Sequence, residues 1–215
     1  ALRFTFEHML NIYDIDPEYI VCDMHPHYLT TRFAESLDLP VIRVQHHEAH
    51  ARACLAENRI DKAVSVVYDG VGYGEDNTSW GGEIFSLKGA DIIREAHLSK
   101  MPMPGGDICV AYPLRTAASI LYKRGIVIEG MEDVLELLEK DVEVYYTSGM
   151  GRLFDAVSGL LNICRHQTYE GQAPMQLESV VTSIRNAGSY EAAGLNSGEI
   201  LEQVYLDDSP VEERA

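Results

Sequence analysis

A chain of 215 residues, 46% apolar and 24% charged, has the make-up of a globular protein with enough material to bury a core in one large domain or two small lobes. Its 34 acidic against 17 basic side chains disfavour nucleic acid as a main partner, because phosphate binding needs clustered Lys and Arg. No apolar run approaches the roughly 18 residues of a membrane span, and the N-terminus lacks both Met and the regions of a signal peptide, so the sequence reads as a piece of something longer or as a processed chain.

In chain order, Leu2, Phe6, Met9, Leu10 and Tyr13 recur at helical spacing and predict a helix over 2–15 that stops at Asp16-Pro17. Tyr19 to Cys22 reads as a short buried strand, 30–37 as a helix, and Val41 to Val44 as a second strand delivering the chain to His46. The segment 46–58 is taken as a helix and 64–68 as a strand. A glycine-rich loop over 70–79 then leads to strands over 80–86 and 92–98. Met101-Pro-Met-Pro-Gly-Gly-Asp107 is expected to be a loop. Helices are predicted over 112–122, 131–140, 150–164 and 172–184, with a polar tail over 186–215. Short apolar strands alternating with helices argue for an α/β architecture with parallel strands, in two lobes divided near residue 60 (1–60 and 61–185). Acidic residues gather at 128–143 and 199–213, as on solvated helix faces. The four cysteines are widely spread without a Cys-x-x-Cys pair, which predicts free thiols in a reducing cytoplasm. Cys22, Cys54 and Cys164 lie among apolar residues and are expected to fill the core.

Chemistry concentrates in Val-Gln-His-His-Glu-Ala-His, 44–50. On a helix His46 and His50 would project from one face, about 6 Å apart at Cβ, which is the spacing of a two-histidine metal clamp. Asp69, ending the strand at a glycine turn, would add a carboxylate; two nitrogens and one oxygen suit iron or zinc with positions left open for substrate. Polar surface is the plain alternative. Gly70-x-Gly72-x-Gly74 lacks the strand–turn–helix setting of a dinucleotide fingerprint, and is either a phosphate-wrapping hairpin or an ordinary turn. Ser148 to Asp155 opens a helix with Ser and Gly beside Arg152. That is either an anion site, with Asp155 placed to accept a ribose hydroxyl, or simple helix capping.

Asp23-Met-His-Pro-His-Tyr, Val44-Gln-His-His-Glu-Ala-His, Asp69-Gly-Val-Gly-Tyr-Gly, Trp80-Gly-Gly-Glu, Met103-Pro-Gly-Gly-Asp107, Gly151-Arg-Leu-Phe-Asp155 and Tyr169-Glu-Gly-Gln172 together resemble the HypF carbamoyltransferases of [NiFe]-hydrogenase maturation, over residues 5 to 180. The resemblance implies a partial actin-like ASKHA (ribonuclease H-like) two-lobed transferase fold. It also implies transfer of carbamoyl from carbamoyl adenylate, made from ATP and carbamoyl phosphate, to the C-terminal cysteine of HypE. Under it His46, His50 and Asp69 match the metal ligands. Gly70, Gly72, Gly74, Gly81 and Gly82 match the phosphate-side hairpin; Gly151, Arg152 and Asp155 match the nucleotide side. The metal would be iron or zinc, with magnesium a further candidate. Three departures stand out: Glu48 where the family usually has a third histidine, no Asn-Asp-Gly-Gly segment after residue 180 to supply a fourth ligand, and no acylphosphatase, zinc-finger or adenylate-forming domain. The chain thus resembles the middle of the transferase domain. Related transferases acting on tRNA or on antibiotics, or a metal- and nucleotide-binding fragment without turnover, are the alternative readings.

Overall fold

The helical stripe at the N-terminus forms α1 (Leu2–Tyr13), which ends where Asp14 turns left-handed at φ 51°. Residues 1–186 are described by the computed structural model; the expected polar tail falls, from residue 187 onward, outside the described residues. β1 (Ile20–Asp23) pairs in parallel with β2 (Val41–Val44), Ile20 against Val41 and Asp23 against Val44, with α2 (Leu29–Glu35) as the crossover. The expected burial of β1 is corrected: Val21 and Ile42 are exposed, because α2 covers one face of this two-stranded sheet with Thr31 and Ala34.

β2 hands the chain to Gln45, whose side-chain oxygen accepts the backbone N–H groups of His47 and Glu48 at 2.7 and 3.0 Å and so caps α3 (His46–Asn58). α3 rests Ala51 on Val67, Trp80, Phe85 and Leu87, a core of long-range contacts between helix and hairpin. Cys54, expected in that core, is exposed; Cys109 and Cys164 are the buried thiols and Cys22 is half-buried.

The hairpin comprises β3 (Lys62–Tyr73) and β4 (Ser79–Lys88), and here the expected glycine loop is corrected. The strand runs on through Gly70 and Gly72, leaving only Gly74 to Thr78 as the turn. Tyr68 pairs with Gly82 and Gly72 with Trp80, so Asp69, Gly70 and Val71 stand against Gly81 alone. A bulge of this kind bends the strand and re-aims its side chains. The far edge of β4 is divided between β5 (Asp91–His97) and a single parallel bridge from Ser79 to Thr147 of β7 (Val144–Thr147).

The Met-Pro-Met-Pro segment, expected as a loop, is β6 (Met101–Pro104), fully buried and antiparallel to β7. Proline is tolerated because β6 is the edge strand. The carbonyls of Pro102 and Pro104 accept from Ser119 Oγ and Cys109 Sγ, so both ring nitrogens face that side, away from β7. Gly105 and Gly106 then turn the chain at φ 83° and 63°, which side-chain-bearing residues rarely adopt. They lead into a short α4 (Asp107–Ala111) that the sequence reading missed, as it missed β7. α5 (Pro113–Tyr122), α6 (Glu132–Lys140), α7 (Met150–Leu160) and α8 (Gln172–Asn186) follow where periodicity predicts helices. α5 and α7 cross so closely that a Cβ on Gly159 would lie 2.5 Å from the Leu114 nitrogen. Among the described residues no helix is long and apolar enough to cross a membrane.

Candidate functional site

Three elements meet at the first turn of α3. His46 and His50 project from one face of the helix, and the bulge in β3 aims Asp69 at them. His46 Nε2 lies 3.2 Å from His50 Nε2 and 3.2 Å from Asp69 Oδ2, and the His50–Asp69 edge is 3.9 Å. An ion bonded at about 2.0–2.1 Å to nitrogen or oxygen holds neighbouring donors about 3 Å apart. Two of the three edges match that spacing and the third is slightly wide. The donor set and its spacing therefore fit a divalent metal with coordination positions left open, and this is the group of three metal-binding donors found among the described residues.

Among the supporting residues, Asp23 and His47 stand in motifs quoted above but carry no site role there. Asp23, at the end of β1, places Oδ2 2.7 Å from His46 Nδ1. His47 is fully buried with Nε2 3.3 Å from Asp69 Oδ2. Burial pushes the His47 imidazole below its ordinary value, against the opposing pull of Asp69 and Glu83. Asp69 Oδ1 accepts the Gly70 N–H at 2.6 Å. His25 stacks on Tyr28 at 4.1 Å, and the Tyr28 phenol is pushed up by burial and by Asp23, Asp69 and Glu170, which places it in the same negative field. Glu48 faces elsewhere, its carboxyl raised by burial and drawn down by Arg52.

Beside the donors runs a wall of close backbone contacts. A Cβ on Gly81 would lie 2.6 Å from the Asp69 carbonyl oxygen, and one on Gly151 would lie 2.9 Å from Gly70 Cα. These glycines let β3, β4 and the start of α7 close on one another. Glu83, fully buried, ties the same junction: Oε1 accepts from the Gly81 and Gly82 N–H groups at 2.9 and 3.1 Å and from Ser148 Oγ at 2.5 Å. Its other oxygen takes Arg94 Nε at 2.6 Å, and that guanidinium stacks 3.6 Å over Trp80. Trp80-Gly-Gly-Glu83 is thus a structural clasp.

Gly70 and Arg152 also line a cleft of about 440 Å³ with Gly105, Gly106, Asp107 and Tyr145. Six of the predicted phosphate- and nucleotide-side residues do not line it: Gly81 and Gly151 belong to the wall of close backbone contacts, and four others are turned to neighbours. Gly72 packs on His47, Gly74 on Trp80, and Gly82 on Leu98 and Ser148, each at a distance that a Cβ would bring below 3.0 Å. Asp155, expected to reach a ribose, is fully buried. It accepts from Gln167 Nε2 at 3.0 Å and pairs with Arg152 at 2.9 Å, so it orients the arginine rather than meeting a ligand. Burial raises its carboxyl against the pull of Arg152 and Gln167.

Fold and site define an α/β lobe of the actin-like, ASKHA transferase type carrying a two-histidine, one-carboxylate donor set. Residues 1–57 match the family model for the HypF Kae1-like domain, and 65–211 match that for the second subdomain of the carbamoyltransferase Kae1-like domain. The carbamoyltransferase HypF of Rhizobium leguminosarum bv. viciae is 36% identical over 204 residues, 88% of this chain and 27% of that protein. The carbamoyltransferase HypF2 of Cupriavidus necator is 38% identical over 197 residues, 85% and 24%. A crystal structure of full-length HypF in the phosphate- and nucleotide-bound form superposes with a TM-score of 0.75 at 37% identity, covering 81% of this chain and 25% of that one. HypF of T. kodakarensis gives 0.72 at 34% identity, covering 83% and 27%. The chain belongs to the HypF carbamoyltransferase family. It spans about a quarter of the length of these two curated relatives.

Proposed function

We propose that this chain carries the metal-centred part of a carbamoyl-transfer site. There a carbamoyl group, activated as its adenylate from ATP and carbamoyl phosphate, passes to the C-terminal cysteine of HypE in the cytoplasm. The observation that carries the reading is the convergence of His46 Nε2, His50 Nε2 and Asp69 Oδ2 beside a cleft walled by Gly70 and Arg152.

His46, His50 and Asp69 would hold the ion. Once bound, it supplies a Lewis acid that polarises the carbamoyl carbonyl and offsets phosphate charge. Two neutral imidazoles and one carboxylate leave a divalent ion with a net positive charge toward an anionic substrate. Imidazole donors suit iron or zinc, whereas magnesium prefers an all-oxygen shell and would accompany the nucleotide phosphates instead. The Arg152 guanidinium, in the first turn of α7 and held by Asp155, lines the cleft and favours phosphate there; the Gly149 N–H that precedes it is taken by Thr147 Oγ1 at 2.9 Å. Gly70 has no side chain to stand in front of Arg152. The nucleotide-bound state named for the related HypF structure supports the same reading. In the transfer step the acceptor thiolate attacks the carbamoyl carbon and the C–O bond to adenylate breaks. Residues 1–60 form the end of the first lobe in this reading and 61–185 the second.

Elemental analysis of the purified chain tests it, beside His46→Ala, His50→Ala and Asp69→Ala. Near-stoichiometric iron or zinc in the wild type, lost in each variant, is expected. A folded wild type that takes up no metal would overturn the metal centre. A chain that holds metal but transfers no carbamoyl from carbamoyl adenylate to the HypE C-terminal peptide is a binding fragment without turnover.

A further inference from the structure

His46 and His47 are neighbours in sequence, and both present Nε2 to one oxygen: Asp69 Oδ2 lies 3.2 Å from the first and 3.3 Å from the second. A neutral imidazole carries one N–H, and the partner of the far nitrogen decides which atom holds it. For His46 that partner is Asp23 Oδ2, 2.7 Å from Nδ1. Both Asp23 Oδ2 and Asp69 Oδ2 only accept, and the single hydrogen of the neutral ring goes to the closer of them, 2.7 Å against 3.2 Å, so it sits on Nδ1 and Nε2 is bare. Asp23 itself is fixed, with Oδ1 accepting the His25 N–H at 2.8 Å and its carbonyl accepting Thr31 Oγ1 at 3.1 Å.

For His47 the partner is Gln45 Nε2, 3.2 Å from Nδ1. The amide cannot be turned round. Its oxygen is committed to the two backbone N–H groups of the helix cap, and its NH2 also faces the Tyr73 carbonyl at 3.1 Å. His47 Nδ1 therefore accepts, and the hydrogen sits on Nε2 toward Asp69, a long contact for an otherwise unpartnered buried nitrogen.

We propose that Asp23 and Gln45 are positioning residues that set opposite tautomers on the two adjacent rings. His46 is thereby a metal ligand through Nε2, and His47 is a hydrogen-bond donor that holds Asp69 in place. The ligand roles rest on the metal reading above; the tautomers do not. The paired histidines are then not interchangeable, since each capping partner assigns one ring its task.

Imidazole 1H–15N correlation spectra of the metal-free chain at about pH 8.5, about two units above the ordinary imidazole value, read the tautomers directly, with peaks assigned through His46→Gln and His47→Gln. Affinity for zinc is measured in parallel by chelator competition. The wild type is expected to show His46 protonated at Nδ1 and His47 at Nε2. In Asp23→Asn the His25 N–H retains the amide oxygen, so the NH2 group turns to His46 Nδ1. The ring then moves its hydrogen to Nε2, and zinc affinity falls roughly 10–100-fold while His47 is unchanged. Gln45→Glu is expected to move the hydrogen on His47 alone. Thr31→Val, which loses the bond to the Asp23 carbonyl but not to its carboxylate, should leave both tautomers as they are. The same tautomer on both rings in the wild type, or Asp23→Asn without effect on His46, overturns the proposal. Opposite tautomers in a wild type that binds no zinc support the assignment and overturn the metal reading instead.

Discussion

Cys109 and Cys54 carry the same thiol in opposite surroundings. Cys109 is fully buried under β6, its Sγ 3.1 Å from the Pro104 carbonyl, and burial pushes its pKa up to about 11 against the pull of Arg115. Cys54 sits on the exposed side of α3. Because the thiolate is the reactive form, a thiol-specific reagent at pH 8 should label Cys54 within minutes and Cys109 only after denaturation, as read by peptide mass spectrometry. Fast labelling of Cys109 in the folded chain would contradict the packing of β6 on α4. The sequence pattern placed Cys54 in the core because Ala and Leu flank it, but α3 buries only His47 and Ala51. Residue spacing could reveal His46, His50 and Asp69, since two lie one helical turn apart and the third ends an apolar run. It could not reveal Asp23 or His47, whose tasks depend on a strand and a helix cap brought together in space. Nor could it separate glycines that face the cleft from Gly72, Gly74 and Gly82, which are small because neighbours press on them.

At the scale of elements, the β3–β4 turn is stapled by one carboxylate. Asp76 Oδ1 accepts from the Thr78 N–H at 3.1 Å, Thr78 Oγ1 at 2.7 Å and Trp80 Nε1 at 2.8 Å, and Oδ2 takes Lys100 Nζ at 2.6 Å. Burial alone would raise this carboxyl, but the bonds from Lys100, Thr78 and Trp80 outweigh it and hold it well below the usual carboxylate range. A group depressed in the folded state adds stability above its unfolded value, about 3.9, and loses it as the pH falls toward the folded value. Asp76→Asn should therefore melt lower than the wild type by a constant interval from pH 8 to about pH 5. The two curves should converge below about pH 4. An interval that does not change down to pH 3 would mean that the staple acts through shape rather than charge. Helix positions were the most legible part of the fold, because α1, α5, α6 and α7 each keep a helical period, whereas α3 was readable only from the spacing of His46 and His50. β6 was not: two prolines in four residues forbid a central strand, and only an edge position with Ser119 and Cys109 on its open side makes the strand admissible.

For the molecule as a whole, the balance between surface charge and exposed apolar area decides its behaviour in solution. β3 is an edge strand among the described residues, and Val64, Val66 and Tyr68 alternate along its outer face at 71%, 53% and 65% exposure, with the exposed Ile93 of β5 in register with Val64 across Ser86 of β4. Ala63, Ser65 and Val67 turn the other way, Val67 into the core, so the outer row can be changed without disturbing the fold. A long apolar edge of this kind invites strand pairing between copies. A formal net charge of −17 opposes it by mutual repulsion. That repulsion is screened over about 10 Å at 0.1 M salt and about 3 Å at 1 M, whereas the apolar attraction is not. Light scattering of the isolated chain should accordingly rise with sodium chloride over that range and with protein concentration. The double variant Val64→Lys, Val66→Lys offers a separate control, because it lowers the net negative charge while removing the apolar row. Were charge alone in command, it should associate more readily than the wild type. If the β3 face is the contact, it should scatter several-fold less at 1 M salt, with an unchanged circular dichroism spectrum. A variant that scatters as strongly as the wild type would move the contact elsewhere, to the exposed Val21 and Ile42 of the two-stranded sheet.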